Sequence, residues 1–178
     1  MNDSYKKQVA LVLAVVALLL SVWGIYHYAK KNGGVNVVEK TESTLPYLHG
    51  DNSFIFRFSD DLKFTNTAEE IDEELQETVV FSSEEPEKGF QIFIAPFDSE
   101  TVLNMDDIKI SNPDLDISNA EEILIDGELG YGFSSKTIGT NFETFEVWFV
   151  SMGKIYQVST YPGFKKDLKE ILSTWKWN

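Results

Sequence analysis

The longest apolar run of the chain lies near its N-terminus. Val9 to Ile25 contains no charged side chain, and Ser21 and Gly24 interrupt its apolar character. At about 1.5 Å of rise per residue, a helix over residues 9–28 is about 30 Å long, which matches the hydrocarbon core of a bilayer. The pattern therefore predicts a transmembrane anchor at 9–28, preceded by a short polar tail at 1–8.

The residues after this run favour an anchor that stays in the membrane. Trp23, Tyr26 and Tyr28 are followed by Lys30 and Lys31, and this order of aromatic rings and then charges is typical of a headgroup boundary. A cleaved signal peptide is the alternative, since lysines also precede the apolar run. The possible cleavage sites match the small-residue pattern poorly, and the run is longer than a usual signal-peptide core.

The orientation of the anchor follows from the size of the segments on its two sides. Lys6 and Lys7 precede the run and two lysines follow it, so the positive charges are nearly balanced. A short tail before a large domain is the usual arrangement of an anchor whose N-terminus is inside. We therefore expect a single-pass protein of the cell membrane whose soluble domain lies outside the cytoplasm.

Polar residues without a clear period separate the anchor from the rest of the chain. Asn32, Gly33 and Gly34 end any helix, and the stretch up to Pro46 shows no regular alternation. The sequence therefore predicts a linker at 29–50. The remaining residues, 51–178, are enough for one domain with its own core.

Alternating apolar residues dominate this domain and predict a β-sheet. Phe54, Phe56 and Phe58 share one face of a strand over 53–59. The stretch 89–97 is apolar on both faces, which is typical of a central strand. Further strands are predicted over 77–83, 117–125, 128–136, 142–150 and 154–161, with Asp126 and Gly127 as a hairpin turn.

Helical periodicity is clearest at the C-terminal end. Five large apolar residues fall on one face of a helix over 164–175, namely Phe164, Leu168, Ile171, Leu172 and Trp175. A rough helical period also predicts a helix within 99–110. In 67–70 the sequence Thr-Ala-Glu-Glu matches a capping box, so this region is predicted to be either a short helix or a solvated loop.

Charge divides the chain into two unequal parts. Residues 1–31 have a net charge of +3, whereas 32–178 have a net charge of −17. A domain this acidic is repelled by phosphate backbones, so we expect no nucleic-acid partner. The densest acidic stretch is 60–87, which carries eleven Asp and Glu residues and one lysine.

The composition argues against several kinds of chemistry. The chain has no cysteine, so disulfides, thiolate metal sites and thiol nucleophiles are excluded. His27 and His49 fall in the anchor exit and the predicted linker, so the predicted domain has no imidazole base. No glycine-rich phosphate loop or GxSxG motif is present.

Two further features of the sequence are candidate sites, a pair of aspartates and a pair of glycines. Asp114 and Asp116 resemble the start of a calcium loop, but the twelfth residue from Asp114 is Ile125, which cannot ligate. Gly130 and Gly132 on one strand face indicate either close packing or a ligand groove. The sequence therefore assigns no catalytic, cofactor-binding or metal-ligating residue.

The order of these segments resembles the PsbP-like superfamily, named for an extrinsic protein of photosystem II. The resemblance covers 54–177 and rests on the strand pair WFVSMGKIYQVSTY and on the C-terminal segment ILSTWKW. The chain is particularly similar to small membrane-anchored bacterial members that end in a C-terminal segment of this kind. The resemblance implies an α+β fold, a central antiparallel sheet with helices packed on both faces. It also implies a binding or assembly module rather than an enzyme.

We therefore expect a membrane-tethered, non-catalytic binding or assembly module that needs no cofactor. Its expected partners are the membrane, through the N-terminal helix, and another envelope protein, through the open side of the sheet or the acidic stretch 60–87. One alternative is a module that responds to a divalent cation through its acidic loops. Another is a hydrolase that uses two carboxylates. The oligomeric state stays open.

Overall fold

β-Strands make up most of the computed structural model, which describes residues 43–71, 74–97, 102–140 and 142–178. The predicted tail at 1–8, the anchor at 9–28 and most of the predicted linker lie outside these residues. Within the described ranges, no helix has the length and apolar character needed to cross a membrane.

The described strands form two antiparallel sheets. The larger sheet contains β3 (Lys63–Ile71), β4 (Glu74–Ser82), β5 (Gly89–Pro96), β6 (Leu115–Ile125), β7 (Glu128–Thr137), β8 (Glu143–Ser151) and β9 (Lys154–Thr160). Its strand order is β3-β4-β5-β9-β8-β7-β6. The smaller sheet contains β1 (Thr44–Leu48), β2 (Phe54–Ser59) and β10 (Lys176–Trp177), in the order β1-β2-β10. The helices are α1 (Met105–Ser111), a 3-10 turn (Pro162–Phe164) and α2 (Lys165–Ser173).

The strands with strong alternation lie where the sequence predicts them. β5 lies between β4 and β9, and its first seven residues are buried, as expected of a central strand. β6 and β7 pair through the predicted hairpin turn, where Asp126 and Gly127 have φ angles of 47° and 95°. A turn with positive φ at both central positions matches the twist of the two strands it joins.

The prediction of a helix or loop at 67–70 is wrong. These residues belong to β3, which pairs with β4 from Lys63 opposite Ser82 to Ile71 opposite Glu74. The first eight residues of β3 are exposed, so no alternation of apolar residues marks the strand in the sequence. Pairing with β4 satisfies the backbone donors and acceptors on one edge of β3. A helix here would have only Ile71 and Leu75 as apolar anchors, so tertiary packing would stabilise it little.

The predicted linker is also wrong at its C-terminal end. β1 lies inside 29–50 and pairs with β2, from Thr44 opposite Ser59 to Leu48 opposite Ile55. Tyr47 is the one buried residue of this strand, and its ring centroid is 5.1 Å from that of Phe56. Because the other four side chains are exposed, the strand has no apolar period. The folded unit therefore includes residues that the sequence assigns to the tether.

The main core lies between one face of the larger sheet and a layer made by β2 and α2. Phe54 and Phe56 of β2 project into it beside the buried α2 residues Leu168 and Leu172. Trp175 follows α2 and is 1 % exposed. The predicted helix over 164–175 therefore exists, with a 3-10 turn at its start and an α-helical part that ends at Ser173.

An ion-pair cluster fixes α2 against the far strand of the larger sheet. Glu121 of β6 lies 3.2 Å from the ammonium group of Lys165 and 2.8 Å from that of Lys169. The Lys165 ammonium group also lies 4.2 Å from the centroid of the Phe145 ring. Hydrogen bonds from Lys169 lower the pKa of Glu121 below its usual value, so this carboxylate stays ionised.

The opposite face of the larger sheet is buried in its central strands and exposed at its β6 edge, where Leu124 is 71 % exposed. Phe93, Phe133 and Trp148 project from it and are buried. The short helix α1 lies beside β6 and buries Ile108. The fold is therefore α+β, with a central antiparallel sheet and few helices. On the face of the larger sheet where the sequence predicts a helix, α2 is accompanied by the smaller sheet.

Candidate functional site: an acidic ribbon and two buried polar clusters

The most exposed strand of the described chain is β3, which forms with β4 a pair here called the acidic ribbon (residues 63–71 and 74–82). β4 pairs with β5 over Glu77–Ser82. The tip of the ribbon, where Glu69, Glu70 and Ile71 pair with β4, therefore extends beyond the edge of β5. A projecting two-stranded tip is available to a partner molecule.

Acidic and apolar side chains share the surface of this ribbon. Its four glutamates are Glu69, Glu70, Glu74 and Glu77, and Lys63 is its one basic residue. Phe64 is 51 % exposed and Leu75 is 57 % exposed. Exposed apolar side chains rimmed by charged and polar residues are typical of a surface that binds another protein.

The first buried polar cluster surrounds His49, directly after β1. His49 is 1 % exposed, and its ring stacks on Phe54 with centroids 4.6 Å apart. Nε2 of His49 lies 3.4 Å from Oε2 of Glu77 and 3.8 Å from Oδ1 of Asp51. The expectation that the domain contains no histidine is therefore wrong, because β1 brings His49 into the fold.

Two groups of this cluster, Tyr47 and Asp51, have pKa values that are shifted in opposite directions. Burial raises the pKa of Tyr47 to about 12, and the charges of Glu77 and Asp51 add to this effect. Partial burial alone would raise the pKa of Asp51. Hydrogen bonds from Ser53 and Lys154 and the charge of His49 outweigh that burial, and the pKa lies well below its usual range. Asp51 therefore stays ionised and does not act as a proton donor.

The His49 cluster connects three parts of the fold. Glu77 belongs to β4, and Lys154 of β9 donates a hydrogen bond of 3.1 Å to Oδ2 of Asp51. Burial raises the pKa of Tyr156, also on β9, to about 12, and the charge of Asp51 contributes. The cluster thus ties the turn between β1 and β2 to two strands of the larger sheet, which is a structural role.

The second buried polar cluster lies on the opposite face of the larger sheet, around Glu146 of β8. The Thr144 hydroxyl donates a hydrogen bond of 2.6 Å to Oε1 of Glu146. The Trp148 indole N–H donates one of 3.4 Å to Oε2, and the hydroxyls of Ser135 and Thr144 are 2.8 Å apart. Gln157 lies opposite Trp148 in the strand register.

This environment changes the protonation of the carboxyl group. Burial raises the pKa of Glu146 to about 7, although hydrogen bonds from Thr144, Trp148 and Ser135 act in the opposite direction. Among the described residues, the groups that hydrogen-bond to Glu146 are hydroxyls and an indole, and none is a carboxylate. The cluster can hold or release a proton near neutral pH, but the carboxylate pair that a glycoside hydrolase needs is not formed here.

The other weighed features do not form a site in the described part of the chain. A Cβ atom on Gly130 would lie 2.9 Å from Phe149 Cβ, and one on Gly132 would lie 3.1 Å from Phe145 Cζ, so these glycines allow close packing. Asp116 lies in β6 rather than in a loop. Across residues 43–71, 74–97, 102–140 and 142–178, no group of three or more His, Asp or Glu side chains is arranged to hold a metal ion.

Sequence reasoning missed both buried clusters. His49 follows a strand without alternation, so no local pattern placed it in the domain. Glu146 did carry a signal, since it is the one charged residue between Thr144 and Val150, a segment that is otherwise almost entirely apolar. A charge in such a segment indicates a buried group with hydrogen-bond partners.

Comparison with known proteins identifies the fold. The solution structure of cyanobacterial PsbP (CyanoP) from Synechocystis sp. PCC 6803 is similar, with a TM-score of 0.54 and 17 % sequence identity over 82 % of this chain and 98 % of that chain. A protein of unknown function from Pseudomonas aeruginosa matches more weakly, with a TM-score of 0.38 and 11 % identity over 74 % of this chain and 94 % of that chain. No protein-family model and no curated protein sequence matches the chain. The predicted resemblance is thus confirmed at the level of the fold, which is PsbP-like.

Proposed function

We propose that this chain is a membrane-tethered, non-catalytic module that binds or assembles with another envelope protein through the acidic ribbon. The observation that carries the proposal is the exposure of β3, whose first eight residues are exposed beside four glutamates of the same ribbon. An exposed edge strand that carries apolar side chains is a template for pairing with another chain.

The remaining surfaces of the sheet support the choice of the ribbon. One face is buried under β2 and α2, and the central strands of the other face are buried at Phe93, Phe133 and Trp148. The carboxyl groups of the two polar clusters, Asp51 and Glu146, have hydrogen-bond partners within the fold. The ribbon combines a projecting tip, acidic charge and the exposed apolar side chains Phe64 and Leu75.

Tethering and location enter the proposal from the sequence. Residues 9–28 have the length and composition of a single membrane span, and the short tail at 1–8 favours a domain outside the cytoplasm. Protease treatment of intact cells should therefore digest the domain. A domain that stays protected, in cells where the protease cleaves a known surface protein, would contradict this location.

Site-specific photocrosslinking of the full chain in its own membrane tests the proposed contact. A photoreactive residue at Thr67 of β3 is compared with one at Glu122 of β6, since both positions are exposed and lie on opposite edges of the same sheet. We expect one defined protein to be captured from Thr67 and not from Glu122. Equal capture from both positions, or no capture from either position, would contradict the proposal.

A further inference from the structure

We infer, building on the proposed function, that the partner binds by strand addition, with an extended segment rich in basic side chains that pairs with the free edge of β3. This inference specifies how the ribbon binds and which chemistry it recognises. It rests on the backbone of β3, on the contrast with the three other edge strands of the described fold, and on the charge of the ribbon.

The outer edge of β3 is suited to pairing with another strand. Among the described residues, β3 pairs with β4 and with no other strand. The nine residues of β3 keep an unbroken register with β4, and none of them has a positive φ angle. A strand of this length spans about 30 Å and presents a regular row of backbone donors and acceptors.

The three other edge strands of the described sheets are β6, β1 and β10, and each has a feature that prevents such pairing. β10 has two residues and is too short to hold an added strand. The register of β6 shifts between Ser118 and Glu121, and Asn119 within this bulge has a φ angle of 52°. β1 has five residues, and Pro46 at its centre lacks a backbone donor. Bulges and prolines are devices by which edge strands avoid pairing with other chains. β3 has neither.

The charges of β3 select the partner. Glu69 and Glu70 are adjacent, so their side chains point to opposite faces of the strand. A strand added beside them is stabilised by basic side chains on either face, whereas acidic residues directly opposite would be repelled. β3 also carries Lys63, but a second copy of this chain brings a domain with a net charge of −17 over 32–178, so a basic segment of a different protein fits better.

The test uses the full chain in detergent micelles and a fluorescent peptide of alternating lysine and valine as the probe. A second peptide has the same sequence with N-methyl groups along its backbone, which keeps the charges and removes the donors. We expect fluorescence anisotropy to show binding of the first peptide and binding of the N-methylated peptide that is at least about tenfold weaker. Equal binding of the two peptides, or no binding of either, would overturn strand addition.

A pair of matched protein variants checks where the peptide binds. The variant Glu69→Lys/Glu70→Lys reverses two charges on β3, and Asp116→Lys/Glu122→Lys reverses two exposed charges on β6. We expect the first variant to bind the peptide at least about tenfold more weakly and the second to bind within about twofold of the original chain. Equal losses in both variants would overturn the assignment to β3.

Failure of the peptide-binding test can be distinguished from failure of the photocrosslinking experiment. If a defined protein crosslinks to Thr67 while the two peptides bind equally, the ribbon binds through its side chains and strand addition is wrong. If no protein crosslinks, the proposed function fails whatever the peptides do. A dimer of the full chain that the peptide dissociates would assign this edge to a second copy and would also overturn the inference.

Discussion

Phe54 and Trp175 stack with their ring centroids 4.2 Å apart and their planes 17° from parallel. Phe54 begins β2, and Trp175 follows α2, so this contact joins the two elements that cover the main core. Trp175 also lies 5.5 Å from Phe149 of the larger sheet in an edge-to-face arrangement. The pair therefore connects all layers on this side of the sheet.

Replacing Trp175 by alanine should be among the most destabilising single changes. The side chain is 1 % exposed, and truncation of a buried tryptophan typically costs about 3–5 kcal/mol of unfolding free energy. Equilibrium denaturation in urea measures the loss, with Leu124→Ala as the control because Leu124 is 71 % exposed. We expect the control to change stability by less than about 0.5 kcal/mol. A loss below about 1 kcal/mol for Trp175→Ala would contradict its central position.

The closely packed glycine Gly130 should not tolerate a methyl group. A Cβ atom there would lie 2.9 Å from the Trp148 carbonyl oxygen and 2.9 Å from Phe149 Cβ, both parts of the neighbouring strand that cannot move away cheaply. Gly130→Ala should therefore cost about 1–3 kcal/mol. Gly163→Ala is the control, since no atom lies within 4 Å of its added Cβ. Thermal unfolding of both variants measures the difference in stability. Equal transition temperatures would show that β7 can accommodate the methyl group at position 130.

The raised pKa of Glu146 predicts a specific dependence of stability on pH. The folded state holds the proton up to a pKa of about 7, whereas the unfolded chain releases it near 4.5. The stabilisation is therefore complete below about pH 4.5 and is lost as the pH rises to about 7, by about 3 kcal/mol in total. Glu146→Gln has no such proton, so it should gain stability relative to the original chain over this range.

Denaturant unfolding of both chains between pH 4.5 and pH 8 measures this difference. The comparison between the two chains matters because Asp51, Asp61 and Glu121 have lowered pKa values and produce the opposite slope at acidic pH. Glu122→Gln, an exposed change on β6, should leave the slope unchanged. A constant difference between Glu146→Gln and the original chain across this range would show that Glu146 has an ordinary pKa.

His49 and Glu77 should be energetically coupled. Their side chains are 3.4 Å apart, and His49 is buried on Phe54. A double-mutant cycle with His49→Phe and Glu77→Gln should give an interaction energy of about 1 kcal/mol, because each change leaves the other group without its partner. The cycle needs four unfolding curves at one pH. An interaction energy near zero would show that the two groups stabilise the fold independently.

Strands with strong alternation were predictable because burial leaves a pattern in the sequence. Burial of one face of β2 accounts for the alternation of Phe54, Phe56 and Phe58. Burial of both faces of β5 accounts for its apolar run. β1 and β3 were missed because their side chains are mostly exposed and backbone pairing defines them. Backbone pairing with the next strand leaves no apolar period in such a sequence.

The candidate surface was predictable in composition but not in form. The stretch 60–87 was marked by its acidity, whereas its shape as a ribbon depends on pairing with β4. The polar clusters depend on tertiary contacts, such as that between His49 and Glu77, which are 28 positions apart in the chain. The sequence could therefore indicate which residues are acidic but not which of them meet a histidine.

The role of the acidic ribbon is tested most directly by crosslinking from Thr67 in two charge-reversed versions of the full chain. Both chains carry the photoreactive residue at Thr67 and are compared at equal abundance in their own membrane; one also carries Glu69→Lys/Glu70→Lys and the other Asp116→Lys/Glu122→Lys. We predict that the first version loses the captured protein by at least about tenfold, while the second captures it within about twofold of the chain without charge reversal. Equal capture by both versions would contradict binding through the ribbon.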